Sequence, residues 1–305
     1  MTRRGLLLAG CAAPLGAAPI RAAAQQPHPL RARLANLRTG ANLERWFAVS
    51  ENNQPRRLGP TWWRQFRQSG FDHCRMFIPN PQDSGEGEDL LRLFAEAAMD
   101  ATNGGVPVLF GLLDSFHAAS PWGEREWRVF EARAAYMAAH TDPAMVVLAP
   151  LNEPAFPDVA SWVPMRDRLL ATLRRHAPRH LLCWGGFEWC SLRSLAGMPP
   201  PADRDTIAEV HDYQGGNTAA VARRFAAATS WRDRHGLPVL VTELGGAQGH
   251  EQNREAWAAD LAQSLPALRQ LRLPTALWAY THGSWWRLQD GGSATPRQSI
   301  RDLLA

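Results

Sequence analysis

The chain of 305 residues contains no lysine, so all of its 33 basic side chains are arginines, and it has only four cysteines. It also lacks the His-Glu-x-x-His motif of zinc proteases, the Gly-x-Ser-x-Gly motif of serine hydrolases and the Cys-x-x-Cys motif of zinc or redox sites. No glycine-rich phosphate loop follows the first apolar segment, which disfavours a dinucleotide site. We therefore expect neither a metal nor a cofactor.

The first 24 residues predict an export signal. Arg3 and Arg4 precede an apolar stretch from Gly5 to Ile20, and three alanines that end at Ala24 supply the small residues of a cleavage site. The start also resembles a twin-arginine signal, and Cys11 lies in a sequence that resembles a lipoprotein cleavage box. Cleavage near Ala24 is the preferred interpretation, which predicts a periplasmic or secreted protein.

Cleavage at this point changes the charge balance. The first 24 residues hold three arginines and no acid, so the formal net charge falls from +4 to +1. A mature chain with this charge has no basic surplus that would attract nucleic acid or an anionic membrane. The apolar stretch is shorter than the ~20 residues that a membrane span requires. We expect a monomer without a membrane span.

The remaining cysteines leave two alternatives open. Cys183 and Cys190 could pair across a short loop, or these two and Cys74 could all be buried thiols.

From about residue 37 onward, short apolar segments alternate with longer amphipathic ones. The short segments predict eight strands, at residues 39–43, 71–78, 106–113, 145–151, 180–183, 207–210, 238–242 and 274–279. Most are apolar throughout, as is typical of parallel strands buried on both faces. Seven or eight helices fall between them. The pattern predicts an α/β fold, a single-domain (β/α)8 TIM barrel over residues 40–305, after a lead-in segment at residues 25–39; an open doubly wound sheet is the alternative.

The carboxyl ends of the strands are the place to look for a site, because barrel enzymes build their active sites there. In this sequence those ends are polar and aromatic, whereas the strand bodies are apolar. In chain order they supply Asn42, Glu44, Trp46, Arg75, Asp114, His117, Asn152, Glu153, Glu188, Trp189, His211, Tyr213, Glu243, Trp278 and Tyr280.

Two carboxylates among these residues follow apolar segments directly. Glu153 comes after the fourth predicted strand and Glu243 ends the seventh. Each could form a structural salt bridge at the barrel rim, since a buried carboxylate is costly unless it is paired. As a pair they also suit glycoside hydrolysis, in which one carboxyl group donates a proton and the other attacks or activates water.

Six sequence features support the second interpretation. They are Gly40-Ala41-Asn42-Leu43, Arg75, Asn152-Glu153-Pro154, His211-Asp212-Tyr213, Thr242-Glu243 and Trp278. In this order and at these strand ends they resemble glycoside hydrolase family 5, the cellulase-like family of retaining barrels. The resemblance spans nearly the whole mature chain.

The resemblance implies a role for each matching residue. Glu153 would be the acid/base, with its pKa raised by the enclosed site, and Glu243 would be the nucleophile, kept ionised by Arg75. The supporting residues would be Asn152 on the sugar 2-hydroxyl, Tyr213 on Glu243, His211 beside Glu153 or the substrate, and Trp278 beneath the reacting sugar. His117 matches the histidine that the family carries after the third strand, although its register is open.

The 13 tryptophans are a high count, and flat indole rings stack well on the apolar faces of sugars. Those on strand-end segments could line a glycan cleft: Trp46, Trp122, Trp184, Trp189, Trp278, Trp285 and Trp286. The resemblance implies a polysaccharide substrate, with β-1,4-glucan as first choice, and endoglucanase activity. The alternatives are a β-mannanase, a β-1,3-glucanase, or a non-catalytic carbohydrate-binding protein of the cell envelope.

Overall fold

The structure is a computed structural model that describes residues 28–43, 57–78, 88–113, 115–117, 122–250, 253–280, 288 and 295–304. The predicted export signal at residues 1–24 lies outside the described residues, as do Trp46, Asp114 and Trp285. The lead-in segment is described from His28 onward.

Eight parallel strands form a closed barrel. In chain order they are β1 (Thr39–Asn42), β2 (Cys74–Phe77), β3 (Val108–Gly111), β5 (Val146–Ala149), β7 (Leu181–Gly185), β8 (Thr206–Asp212), β9 (Val239–Leu244) and β10 (Thr275–Leu277). Each strand pairs with the next in this order, and β10 closes the ring on β1. The prediction of a (β/α)8 TIM barrel is confirmed.

Two further short strands, β4 (Ser115–His117) and β6 (Asn152–Ala155), pair with each other above the barrel. They continue the chain beyond β3 and β5, and the sequence had not predicted them. Their pairing places the segment that contains Glu153 against the loop after β3.

Helices surround the barrel. They are α1 (Pro29–Leu34), α2 (Pro60–Gln68), α3 (Glu88–Asn103), α4 (Glu124–His140), α5 (Val159–His176), α6 (Leu192–Ala196), α7 (Thr218–His235), α8 (Arg254–Gln270) and α9 (Gln298–Leu304). Their ends follow the sequence signals: Asp158 accepts from Ser161 N at the start of α5, and Gly236 adopts a left-handed φ of 63° at the end of α7.

The barrel interior and its outer face form two separate apolar clusters. Inside, residues such as Leu109, Leu181 and Leu240 pack on Leu30 and Leu34 of α1, which lies within the predicted lead-in segment. Outside, the strands pack on the surrounding helices. Because apolar side chains fill the amino-terminal end of the barrel, its polar side chains collect at the opposite end.

No helix in the described part of the chain is long and apolar enough to cross a membrane. The described cysteines Cys74, Cys183 and Cys190 are buried free thiols. Cys183 and Cys190 therefore do not form a disulfide in the structure.

Candidate active site

Glu243 lies at the carboxyl end of β9 and is only 3% exposed. Its Oε1 accepts a hydrogen bond from Arg75 Nη1 at 2.6 Å, and its Oε2 accepts one from the Tyr213 hydroxyl at 2.5 Å. Arg75 reaches the carboxylate from β2, and Tyr213 reaches it from the segment directly after β8. These hydrogen bonds hold both oxygens in a fixed orientation, and both donors lower the pKa of the carboxyl group against the effect of its burial.

Arg75, near the start of β2, is the centre of this network. Besides Glu243, it donates to Asn42 Oδ1 at 3.2 Å and to Asn152 Oδ1 at 2.8 Å, and Nη2 lies 3.4 Å from Glu209 Oε2. Asn42 in turn donates to the backbone oxygen of Thr242 at 2.8 Å. One buried guanidinium therefore connects residues of five strands.

Glu153 lies on β6 and is more accessible, with a quarter of its side chain exposed. Its φ of 44° is in the left-handed region that residues other than glycine rarely adopt, a form of strain found at functional sites. Neighbouring backbone bonds hold this turn, since Trp189 N donates to Pro154 O at 2.9 Å and Phe156 N donates to Phe187 O at 2.8 Å. The carboxyl group therefore faces the cleft at a fixed position.

His211 lies between the two carboxylates. Its Nδ1 is 2.8 Å from Glu153 Oε1 and 3.6 Å from Glu243 Oε2, and its Nε2 is 3.0 Å from Thr242 Oγ1. One oxygen of Glu153 and one oxygen of Glu243 lie within 4.8 Å of each other and of a His211 ring nitrogen. Among the described residues, Glu153, His211 and Glu243 are the only group of three side chains that could together hold a metal ion. A cation bound there would face the Arg75 guanidinium.

The pKa shifts at the site differ from the expectation for both carboxylates, since the pKa of Glu153 is lowered and that of Glu243 is raised. Burial raises the pKa of Glu153, but the hydrogen bond and charge of His211, with the charge of Arg75, outweigh it and leave the pKa lowered. Burial lowers the pKa of His211, but the charges of Glu243 and Glu153 leave it raised. These opposite shifts, with the 2.8 Å contact between Nδ1 and Oε1, favour a proton held at the hydrogen bond between Glu153 and His211.

Glu243 is subject to opposing effects. Burial raises the pKa of its carboxyl group, and the charges of His211 and Arg75 oppose this without reversing it. The pKa of Tyr213 is raised by burial and by Glu243, so the tyrosine remains a proton donor to the carboxylate.

A cleft of about 930 Å³ opens in front of Glu153. Trp189, one of two large hydrophobic residues in the described chain with extensive exposure, lies in its wall at 46% exposure. Glu188 and Arg193, which form an ion pair, lie beside it. The cleft thus combines a flat aromatic surface with polar groups beside Glu153, His211 and Tyr213.

Most of the residues predicted for the site meet there. Arg75, Asn152, His211 and Tyr213 all contact one or both of the carboxylates or each other. Trp278 is half-buried, with its ring 6.2 Å from that of Phe77.

Other predicted positions do not reach the site or are not described. The backbone of His117 ends β4, but its side chain lies outside the described residues, as does the whole of Trp46. Trp184 is 1% exposed and packs under Arg166 and against Trp231, so its assignment to the cleft is wrong. Its side chain points outward from the barrel into the helical layer.

Glu209 was missed. It is a fully buried carboxylate within β8, two residues before His211 and on the same face of the strand. Thr242 donates to its Oε2 at 2.8 Å. An ionisable residue in an otherwise apolar strand, in phase with His211, was the signal that could have found it.

The closed parallel barrel with two carboxylates at the carboxyl ends of its strands defines a (β/α)8-barrel enzyme. Solved structures share this architecture. The endoglucanase Cel5A of Thermotoga maritima matches with a TM-score of 0.74 and 15% identity over 91% of this chain and 99% of its own. A structure of the same protein with mannotriose matches with a TM-score of 0.73 and 16% identity over 91% and 100%. A hyperthermophilic endo-β-1,4-glucanase solved with substrate gives 0.73 and 14% over 91% and 99%.

The sequence itself identifies the family. The family described as Cellulase (glycosyl hydrolase family 5) matches residues 82–284, and the chain belongs to it. The protein is a glycoside hydrolase of the cellulase type. A β-xylosidase of Phanerodontia chrysosporium is 26% identical over an alignment 180 residues long, which covers 51% of this chain and 38% of that protein. The alignment therefore spans less than half of the length of that relative.

Proposed function

We propose that the protein hydrolyses β-linked glycans with retention of anomeric configuration, with Glu243 as nucleophile and Glu153 as acid/base. The observation that carries this proposal is the spacing of the two carboxylates, which bring one oxygen each within 4.8 Å of each other. Retaining glycosidases place their carboxyl groups ~5–5.5 Å apart, and inverting ones need ~6.5–9.5 Å to admit a water molecule. Two carboxylates that bring single oxygens this close support the shorter, retaining separation, in which Glu243 attacks directly.

In the first step a Glu243 oxygen bonds to the anomeric carbon while the glycosidic C–O bond breaks. The Glu153–His211 pair transfers its proton to the departing oxygen through the Glu153 carboxyl group, which lines the cleft. In the second step water attacks the anomeric carbon, the bond to Glu243 breaks, and the pair takes up the proton of the water. Acid and base catalysis thus alternate on one site.

The remaining residues support this chemistry in the proposal. Asn152, held by Arg75 at 2.8 Å, is oriented to bind the sugar 2-hydroxyl. Trp278 would lie beneath the reacting sugar, and Trp189 would stack on the departing part of the chain. His117 and Trp46 are proposed as further substrate contacts on the strength of the family resemblance.

For the substrate we propose β-1,4-glucan cut within the chain. The open cleft and the fold shared with endo-β-1,4-glucanases support this choice. Mannan is the second candidate, because a protein of the same fold was solved with mannotriose. A reducing-sugar assay with carboxymethylcellulose, barley glucan, mannan, laminarin and xylan tests it: we expect the highest rate on a β-1,4-glucan, and a clear preference for mannan or laminarin would overturn the choice. Export, as the N-terminal segment predicts, would bring the enzyme to such polymers.

Azide rescue tests the catalytic roles. With an activated aryl glycoside, Glu243→Ala should regain activity in azide and release a glycosyl azide of inverted configuration, because azide enters the space left by the nucleophile. Glu153→Ala should instead release an azide of retained configuration. The reverse assignment of products would show that the two roles are exchanged, and equal hydrolysis by Glu243→Gln and the wild type would reject the mechanism.

A further inference from the structure

Glu209 lies inside the barrel behind the two catalytic carboxylates and is 0% exposed. Its Oε2 accepts from the Thr242 hydroxyl at 2.8 Å and lies 3.4 Å from Arg75 Nη2. Its Oε1 receives no nitrogen or oxygen donor from the part of the chain that the structure describes. The mechanism above assigns no role to this side chain.

Stability alone is a poor explanation for a carboxylate at this position. Arg75 already has a closer carboxylate partner in Glu243, at 2.6 Å compared with 3.4 Å. A buried carboxylate with one oxygen that receives no nitrogen or oxygen donor is costly, and such groups in folded proteins call for a specific explanation. An apolar side chain would fill the same space without this cost.

The contacts of Glu209 determine the direction of a hydrogen-bond chain. A carboxylate beside the Arg75 guanidinium can only accept, and the Thr242 hydroxyl has a single proton to donate. The hydroxyl donates that proton to Glu209 Oε2. The hydroxyl must then accept from His211, so Nε2 at 3.0 Å is the nitrogen that carries a proton. In the neutral ring Nδ1 is left unprotonated, 2.8 Å from Glu153 Oε1.

We propose that Glu209 is a positioning residue that acts through Thr242 to keep the proton of His211 on Nε2, so that Nδ1 and Glu153 share the proton used in catalysis. The catalytic part of this proposal rests on the function proposed above; the assignment of the Nε2 proton does not. Without Glu209 the Thr242 hydroxyl is free to donate to Nε2, and Nδ1 would then carry the proton of the neutral ring. Nδ1 could then no longer accept a hydrogen bond from the protonated Glu153 carboxyl group.

The charge of Glu209 also acts on the site directly. Its charge acts on Arg75 of β2, on Cys183 of β7 and on Cys190 before α6. His211 on β8 shares the Thr242 hydroxyl with Glu209, Glu243 on β9 shares Arg75 with it, and Glu153 on β6 is reached through His211. The pKa values of both thiols are raised by burial first and by Glu209 second, so the thiols stay neutral. Loss of a negative charge close to these groups is expected to weaken proton binding by His211 first, through Thr242, and by Glu153 and Glu243 next.

The pH dependence of kcat/KM for Glu209→Gln is the first test. We expect both limbs to move to lower pH by about 0.5–1 unit, since both the proton of the pair and that of Glu243 bind less tightly, and kcat to fall about tenfold. Asp203→Asn is the matched control, because it neutralises a half-buried carboxylate that is paired with Arg174 outside the active site. The control should leave both limbs in place. Glu209→Leu, which also removes the acceptor for the Thr242 hydroxyl, should lower kcat further. An unshifted profile in both folded variants would overturn the proposal.

Nitrogen NMR of the His211 ring is the second test and requires no activity. In wild-type protein labelled with ¹⁵N-histidine, with His211→Gln to assign the signals, we expect Nε2 to remain protonated at every pH at which the protein is folded and Nδ1 to be the nitrogen that titrates. Thr242→Ser should preserve this state, and Thr242→Val should abolish it. Loss of the Nε2 proton in the wild type would overturn the proposal even if Glu209→Gln fails to fold. Absence of glycan hydrolysis by the wild type would instead reject the proposed function and leave this measurement intact.

Discussion

The Tyr213 hydroxyl donates to Glu243 Oε2 at 2.5 Å, on the carboxylate oxygen that Arg75 does not bind. Each carboxylate oxygen therefore has its own donor: the neutral tyrosine binds Oε2 and the charged arginine binds Oε1. When the Glu243 carboxylate attacks, one of its oxygens must give up its hydrogen bond and bond to the sugar, and the carboxylate then loses its negative charge. The neutral donor is the weaker of the two and faces the cleft, so we infer that Oε2 is the attacking oxygen.

Tyr213→Phe should lower kcat about 10- to 100-fold, the effect of removing one hydrogen bond to a charged group. It should also move the acid limb of the kcat/KM profile to higher pH, because the tyrosine hydrogen bond lowers the pKa of Glu243. Glu243 must be ionised to attack, so activity is lost as the pH falls through its pKa. Steady-state kinetics between about pH 4 and 9 measure both effects on either side of the usual glutamate and histidine pKa values.

Tyr136→Phe is the control for this change. Tyr136 stacks on His140 of α4, and Tyr136→Phe should change neither kcat nor the position of the acid limb. A Tyr213→Phe profile that falls in height without moving would show that Tyr213 orders the site but does not influence the Glu243 charge.

Arg75→Met should destabilise the fold by about 3–5 kcal/mol, because it leaves Glu243 and Glu209 buried without their shared cation. Addition of Glu209→Gln to Arg75→Met should restore part of this loss, since one uncompensated charge is then removed. Urea unfolding monitored by tryptophan fluorescence gives the comparison. Arg92→Met, on exposed ion pairs of α3, serves as the control and should have no measurable effect. A double variant less stable than Arg75→Met would contradict the shared-cation explanation.

The sequence was sufficient to predict which strands form the barrel and which of their ends meet. Continuous apolar segments mark strands buried on both faces, and closure of a parallel barrel brings all carboxyl ends to one side. Arg75, Glu153 and Glu243, far apart in the chain, could therefore be placed together before any contact was known. Local periodicity and one topological rule were enough.

The features that were missed depend on contacts that periodicity does not encode. Glu209 interrupts an apolar strand, and only the packed interior shows that Thr242 and Arg75 make its burial tolerable. Trp184 lies on a strand-end segment, but side chains alternate between faces and its own face points to the helices. The shared proton of Glu153 and His211 likewise required a distance between two side chains.

Trp189→Ala should raise KM for long cello-oligosaccharides about tenfold, because one stacking contact is lost. The increase should appear only for substrates that extend past the scissile bond to the cleft wall. The melting temperature should stay unchanged because nearly half of the side chain is exposed. Met99→Ala is the matched control, since Met99 on α3 is 45% exposed and lies away from the cleft. A KM increase that is equal for short and long substrates would place Trp189 outside the part of the cleft that binds the departing chain.

His180 should make the fold sensitive to acid independently of the active site. It is 3% exposed, with Nε2 3.1 Å from Thr141 Oγ1, and burial lowers its pKa to about 4. Between pH of about 6.5, the pKa of histidine in the unfolded chain, and about 4, His180 is protonated in the unfolded chain but neutral in the folded one. The free energy of unfolding therefore falls as the pH decreases through this range. The expected loss is about 2–3 kcal/mol. His180→Gln should flatten this part of the curve of unfolding free energy against pH, whereas the exposed His140→Gln should retain it; parallel curves for His180→Gln and the wild type would assign the acid sensitivity to other groups.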